Sequence, residues 1–194
     1  MQNRGKFIVI EGLEGSGKST AIEGVMAFLK EQHIPCIQTR EPGGTLIGEQ
    51  LRKLIKTPFK EETLSPHAEL LLIYAARAQL IEKTILPALN SGVWVLSDRF
   101  ELSSYAYQGG GRQLDLRFID CLSRFCLNDL QVDWTFFLDI MPAAGLERAK
   151  KRGKSDRIEQ ETLDFFARVY DAYHARLALM TRVSCFDATL PIPE

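Results

Sequence analysis

Apolar residues along the chain fall into two alternating kinds of segment: short unbroken runs, and longer stretches in which they return every three or four positions. The runs predict strands at 6–11, 36–39, 93–97, 134–139 and 183–187, and the periodic stretches predict helices at 18–31, 46–55, 66–90, 114–127, 142–151 and 162–181. Phe7-Ile-Val-Ile10, Val93-Trp-Val-Leu96 and Thr135-Phe-Phe-Leu138 are apolar on both faces, as strands are when helices cover them from two sides. Strand and helix alternating in this way predict an α/β fold, a three-layer sandwich with a five-stranded parallel sheet and helices on both faces. The punctuation agrees: Ser65-Pro66 opens the third helix with a cap and a first-turn proline, Pro87 is expected to bend it, and Gly92 follows its end. No repeat, low-complexity stretch or linker interrupts the chain, so residues 1–194 are read as one domain. Glycine-rich loops at 41–45 and 108–112 fall at element ends, where α/β sheets place ligands.

Charge narrows the partners. Twenty-four basic against 25 acidic residues leave a net charge of -1, with no overall excess to hold a nucleic acid or an anionic membrane, so neither is expected. Any bound anion must be met by a local cluster. Cys36, Cys121, Cys126 and Cys185 are scattered, and no histidine stands at metal-ligand spacing, which fits a reduced cytoplasmic setting. The run Phe7 to Ile10 is far too short for a signal-peptide core, and no 18-residue apolar stretch occurs, so the protein is expected to stay in the cytoplasm.

One local cluster stands out. Gly12-Leu-Glu-Gly-Ser-Gly-Lys-Ser19 fits GxxxxGK[ST], directly after a predicted strand and before a predicted helix, the context this phosphate-binding loop requires. Its glycines let backbone N–H groups turn inward on a nucleoside triphosphate, with Lys18 on the terminal phosphates and Ser19 on Mg²⁺. Gly12, Leu13, Glu14, Gly15, Ser16, Gly17, Lys18, Ser19 and Thr20 are thus the expected ATP contacts. The chain has no NKxD guanine-reading motif, which argues against a switch GTPase, and a motor usually needs a larger machine.

A second group belongs to an acceptor. Asp98-Arg99 closes the third predicted strand, where Asp98 could serve Mg²⁺ and Arg99 a second phosphate; a structural ion pair is the plainer alternative. Arg77 interrupts the stripe Leu70, Ile73, Tyr74, Leu80, Ile81, with nothing anionic three or four positions away. Its partner must come from elsewhere in the fold or from a ligand, unless the side chain snorkels to the surface. On that pattern, Arg77→Leu is expected to restore an ordinary stripe without loss of stability. Arg148, Lys150, Lys151, Arg152, Lys154 and Arg157 crowd around Gly153, with Asp156 the one acid in the run. This reads as a lid at about 145–157 or as a solvated face.

Taken together, Ile10-Glu-Gly-Leu-Glu-Gly-Ser-Gly-Lys-Ser-Thr20, Thr39-Arg-Glu-Pro-Gly-Gly-Thr45, Tyr74-Ala-Ala-Arg-Ala-Gln79, Asp98-Arg99, Tyr105-Ala-Tyr-Gln-Gly-Gly-Gly-Arg112, Asp156-Arg-Ile-Glu159 and Asp187-Ala-Thr189 resemble thymidylate kinases over nearly the whole chain. The resemblance implies a P-loop NTPase-like fold and transfer of the ATP γ-phosphoryl group to dTMP, with Mg²⁺, in a homodimer. It places Glu14 near the sugar, Arg40 and Arg99 near the acceptor phosphate, and Arg77 at the thymine edge. Ser104 falls beside the base and Tyr107 against the deoxyribose, with Pro42 (in cis), Ile73, Tyr74 and Gln108 in the same pocket. The chain is similar to the branch whose catalytic arginine lies in the lid, since Gly15 and Ser16 supply no cation; Arg152 then joins Lys18, Asp98 and Arg99 in catalysis, and Arg148 lies near adenine. Two departures stand out. Ile73 replaces an aromatic that stacks on thymine in many relatives, so either Tyr74 takes over or apolar contact replaces stacking. The sequence ends five residues after Thr189, where relatives continue into a further helix; if that ending is natural, one sheet face is expected to be less covered and stability lower, truncation being the equal alternative. The alternatives are another P-loop kinase of a small or nucleoside substrate, or a nucleotide-binding module without turnover. Leu70-Leu-Leu-Ile73 with Ala75, Ala76 and Ala78 widen the apolar arc of the third helix and point to association there.

Overall fold

A computed structural model describes residues 4–151, 153 and 156–190. Its sheet is parallel throughout, with β1 (Phe7–Gly12) flanked by β3 (Trp94–Asp98) and β4 (Trp134–Asp139), and β2 (Cys36–Arg40) and β5 (Val183–Asp187) outermost, in the order β2-β3-β1-β4-β5. Along β1 the side chains alternate between two cores. Phe7 and Val9 join Val95 of β3 and Leu80, Ile81, Ile85 and Leu89, which come from α3 (Pro66–Leu80), α4 (Leu86–Asn90) and the turn between them. Ile8 and Ile10 join Leu96, Phe136 and Leu138 against Ala21, Ile22, Val25 and Met26 of α1 (Lys18–Glu31). Helices therefore cover both faces, as the doubly apolar strands require. A third core sets Phe137 of β4 against Phe166, Val169, Tyr173 and Leu177 of α8 (Leu163–Leu177). Phe7 is fully buried and meets Phe100 edge-on at 4.8 Å between centroids, a site worth about 1.5–3 kcal/mol by transfer alone.

The predicted helix at 66–90 does bend, but as a π-helical turn at Ile81–Ile85 between α3 and α4. Pro87 has no N–H and its ring crowds the carbonyl of Lys83, so the backbone widens just before it. The reading of 108–112 as a glycine-rich loop is corrected: a short helix α5 (Glu101–Ser104) runs into a π-helical turn at Tyr105–Gly111. Its glycines serve close packing, since a Cβ on Gly110 would stand 2.5 Å from Cβ of Ala172, and one on Gly111 would stand 2.5 Å from the ring of Phe165. The remaining helices are α2 (Leu46–Lys56), α6 (Leu116–Leu127) and α7 (Pro142–Lys150). Thr45, Asp115 and Thr162 cap α2, α6 and α8 by accepting from N–H groups of their first turns. These caps trim the predicted starts of α6 and α8 by one or two residues. Because β1 is central and the chain crosses to opposite sides after it, its C-terminal end is the switch point where such sheets bind ligands.

Candidate active site

The loop after β1 lies at that switch point. Gly17 adopts φ +89° and hands the chain to α1 at Lys18, so the first N–H groups of the helix point outward from a left-handed turn. Gly15 has φ +74°, and a Cβ there would come within 2.0 Å of the Gly145 carbonyl on α7. The loop is thus seated against α7 by backbone alone. Lys18 passes beneath it and donates from Nζ to the carbonyls of Gly12 (3.0 Å) and Leu13 (2.8 Å). Burial lowers its pKa to about 8, with the Arg99 charge pushing the same way and Asp98, Glu14 and Glu11 opposing.

Two hollows open here. The larger, about 440 Å³, is lined by Glu14, Gly15, Gly17, Lys18, Ser19, Thr20, Arg40, Asp98, Arg99 and Arg148. The smaller, about 100 Å³, is lined by Glu41, Pro42, Ile73, Arg77, Phe100, Ser103, Ser104, Tyr107 and Gln108. Glu14, Arg52, Lys56, Asp98, Arg99 and Asp156 line both. The expected phosphate and acceptor groups therefore meet across one charged wall.

Arg99, with φ +67°, is held there by donation to Glu14 Oε1 (2.9 Å), the Tyr107 hydroxyl (3.0 Å), the Tyr173 hydroxyl (3.0 Å) and Ser103 Oγ (3.2 Å). Behind them Glu11, fully buried, accepts from the Phe100 N–H, Ser103 and the Tyr173 hydroxyl. Tyr107 donates to Glu14 at 2.6 Å, which turns the other carboxylate oxygen toward the arginine. Asp98 Oδ1 is buried with no partner, an acceptor left over at the end of β3. With Ser19 lining the same hollow, these hard oxygen donors fit Mg²⁺ bound chiefly through substrate phosphates. Among the described residues no cluster of three or more metal-binding side chains competes for it.

Arg77 does not snorkel; it is 1% exposed and its partner is Glu41 from the loop after β2, with Nη2 at 2.6 Å and Nε at 2.9 Å from Oε2. Nη2 also donates to Ser104 Oγ (2.9 Å), and Nη1 has no partner. Burial raises Glu41 to about 7 against the pull of Arg77. The Glu41–Pro42 peptide is cis. Ile73 faces the small hollow, whereas Tyr74 does not: its ring lies 4.6 Å from the Arg77 guanidinium inside the core. Of the two replacements for a stacking aromatic, Tyr74 is therefore corrected to a residue behind Arg77. Phe100, unremarked in the sequence because it follows Asp98-Arg99, lines this hollow together with Tyr107.

Arg40 pairs with Glu49 at 2.8 Å on the rim of the larger hollow. Arg148 donates to the carbonyls of Ala188 (2.7 Å) and Thr189 (3.4 Å), tying α7 to the turn after β5. Lys151 makes an exposed pair with Glu147. Arg152 lies outside the described residues. Arg52 and Lys56, one turn apart on α2, are the cations the sequence reading missed; their i, i+4 spacing was the available signal.

A phosphate-binding loop and an acceptor hollow sharing a wall of arginines and carboxylates on a parallel sheet define a P-loop phosphotransferase with a small acceptor. The family model described as thymidylate kinase matches residues 10–194. The chain is 55% identical over 190 residues to a thymidylate kinase of Legionella pneumophila (strain Corby), covering 98% of this chain and 90% of that one. It is 56% identical over 192 residues to one of Haemophilus ducreyi, covering 98% and 89%. The crystal structure of thymidylate kinase from Ehrlichia chaffeensis superposes with a TM-score of 0.77 at 31% identity, covering 95% of this chain and 87% of that one. The chain belongs to the thymidylate kinase family.

Proposed function

We propose that the chain transfers the γ-phosphoryl group of ATP to dTMP, giving dTDP and ADP. The observation that carries this reading is the shared wall: Glu14, Arg52, Asp98 and Arg99 line both hollows, so a donor in one and an acceptor in the other meet at the same cations. The ATP phosphates lie along the loop N–H groups from Leu13 to Thr20 with Lys18 on the terminal one, and the acceptor phosphate lies between Arg99, Arg52 and Arg40. The thymine ring enters between Ile73 and Phe100, where Arg77 Nη1 is a free donor for a ring carbonyl and Ser104 and Gln108 flank it. Tyr107 packs against the deoxyribose and, with Glu14, sets the orientation of Arg99. Mg²⁺, held by Ser19 and Asp98, would neutralise charge on the bridging phosphate oxygens when bound. Arg152, on the proposed lid at 145–157, supplies the further cation for the transition state, and Arg148 stands beside adenine.

A homodimer is part of this reading, supported by Leu71, Leu116, Phe118 and Phe125, which stay exposed on the adjacent helices α3 and α6. A cytoplasmic location is consistent with the absence, among the described residues, of any helix long and apolar enough to cross a membrane. The alternative of a binding module without turnover is not favoured, because Lys18, Asp98 and Arg99 are all in place. A coupled ADP-release assay with a panel of nucleoside monophosphates tests the proposal. Thymidylate is expected to give the highest kcat/KM by at least tenfold; ADP release that no monophosphate stimulates would defeat it.

A further inference from the structure

Glu69 stands in the first turn of α3, is 1% exposed, and lines neither hollow. A buried carboxylate away from the reaction needs partners, and this one has three from two separate segments. It accepts from Gln108 Nε2 at 2.8 Å, from Arg112 Nε and Nη2 at 3.2 and 3.0 Å, and from Arg157 Nη2. Gln108 lines the acceptor hollow directly. Arg157 does not, but it lies between Asp156 and Ile158, which do. Its main-chain N–H donates to the Lys56 carbonyl (3.0 Å) and its Nε to the Ile55 carbonyl (2.8 Å), so the segment is pinned to the end of α2. Lys56 closes the contact on Asp156 at 2.7 Å. Burial works against the Glu69 carboxylate, yet hydrogen bonds from Arg112, Arg157 and Gln108 and the charge of Arg112 hold it below the usual carboxylate range.

We infer that Glu69 is a positioning residue for the acceptor: one buried carboxylate sets the Gln108 amide and, through Arg157, the Asp156–Ile158 wall of the same hollow. The inference rests on the thymidylate reading above, since it names what those walls receive. Gln108 carries an amide whose oxygen and nitrogen are distinguishable only by their partners; donation from Nε2 to Glu69 fixes which branch is oxygen, and that oxygen is an acceptor available to a ligand. Glu69 thus decides that the wall presents an acceptor, which suits an N–H on a base edge.

Glu69→Gln, Gln108→Ala, their double variant and Arg157→Met, compared by steady-state kinetics and thermal melting with wild type, test this. Glu69→Gln keeps the shape and is expected to raise KM for thymidylate about tenfold, with KM for ATP and kcat within about twofold, because a side chain of equal size can offer its NH₂ where only an acceptor served. Gln108→Ala and Arg157→Met each reproduce part of that rise, and the double variant rises by less than the product of the two single effects. A folded Glu69→Gln protein with wild-type KM, or with ATP and thymidylate KM raised alike, overturns the inference and leaves Glu69 a structural residue. Should Glu69→Gln fail to fold, wild-type KM in both Gln108→Ala and Arg157→Met overturns it equally. Wild-type turnover with thymidylate is the separate control: its failure would strike the proposed reaction and not the coupling of these walls.

Discussion

Arg77 and Glu41 form a buried pair in which two guanidinium nitrogens donate to one carboxylate oxygen at 2.6 and 2.9 Å and the third nitrogen is left without a partner. This overturns the sequence-based expectation for Arg77→Leu. Leucine would suit the stripe, but it would leave Glu41, 5% exposed, as an unpaired buried acid. Breaking such a pair costs about 3–5 kcal/mol, so the variant is expected to melt well below wild type. Arg77→Leu with Glu41→Leu should recover much of that loss while thymidylate affinity stays down about tenfold, since Nη1 is gone in both. Calorimetric melting together with titration of thymidylate separates the two effects; equal stability of the single variant and wild type would refute the pairing argument.

The contrast shows where sequence stops. The phosphate loop was legible because its chemistry is local: strand, glycines, Lys18 and helix are contiguous. Five strands and their burial on two faces were legible for the same reason, but their order was not, because β1 pairs with β3 and β4 across long connections. Arg77 was visible as an anomaly on its stripe, yet its partner is 36 residues away on a loop. Tyr74 was offered for a hollow that Phe100 lines and Tyr74 does not, since periodicity says which face a residue shares and not which hollow it reaches. Gly110 and Gly111 read as loop because nothing local shows that α8 presses on them.

Nucleotide binding should take up a proton at alkaline pH. Free Lys18 titrates at about 8, so at pH 8.5 most of it is neutral. A bound polyphosphate favours the charged form and raises the pKa, so the complex gains a proton there and not at pH 6.5. Calorimetric titration of ATP in two buffers of different ionisation enthalpy reads the number directly. In the absence of nucleotide the sign for stability follows: the folded pKa lies below the 10.5 of an unburied lysine, so between pH 8 and 10.5 the unfolded chain binds the extra proton and Lys18 adds stability as pH rises. Lys18→Ala should lose that uptake and nearly all turnover while keeping the fold, because its Nζ bonds only two carbonyls of its own loop.

Gly15→Ala tests the seating of the loop on α7. The residue sits at φ +74°, costly for any side chain, and its Cβ would meet the Gly145 carbonyl at 2.0 Å, a backbone atom that cannot swing away. The loop or α7 must shift, so KM for ATP is expected to rise by about tenfold or more with a fall in melting temperature. Gly24→Ala on α1, where an added Cβ meets nothing within 4 Å, is the matched control and should be neutral or slightly stabilising. Indistinguishable KM values for the two variants would mean that the close approach does not constrain the loop.

The γ-phosphoryl transition state spreads charge over its equatorial oxygens, and between Gly12 and Ser19 only Lys18 carries a positive side chain. Of the basic run, Arg148 is spent on the carbonyls of Ala188 and Thr189, Lys151 on Glu147, and Arg157 on Glu69 and Ile55. Arg152 is the arginine the family resemblance selects, and an arginine that engages mainly in the transition state lowers turnover without weakening ground-state binding. Arg152→Ala should therefore cut kcat by roughly 10²–10³ with little change in KM for ATP or thymidylate. Lys151→Ala removes only an exposed pair with Glu147 and should leave kcat near wild type. Steady-state kinetics on the two variants decide the matter: small and equal effects would move the catalytic role to Arg52 or Lys56, the cations already lining both hollows.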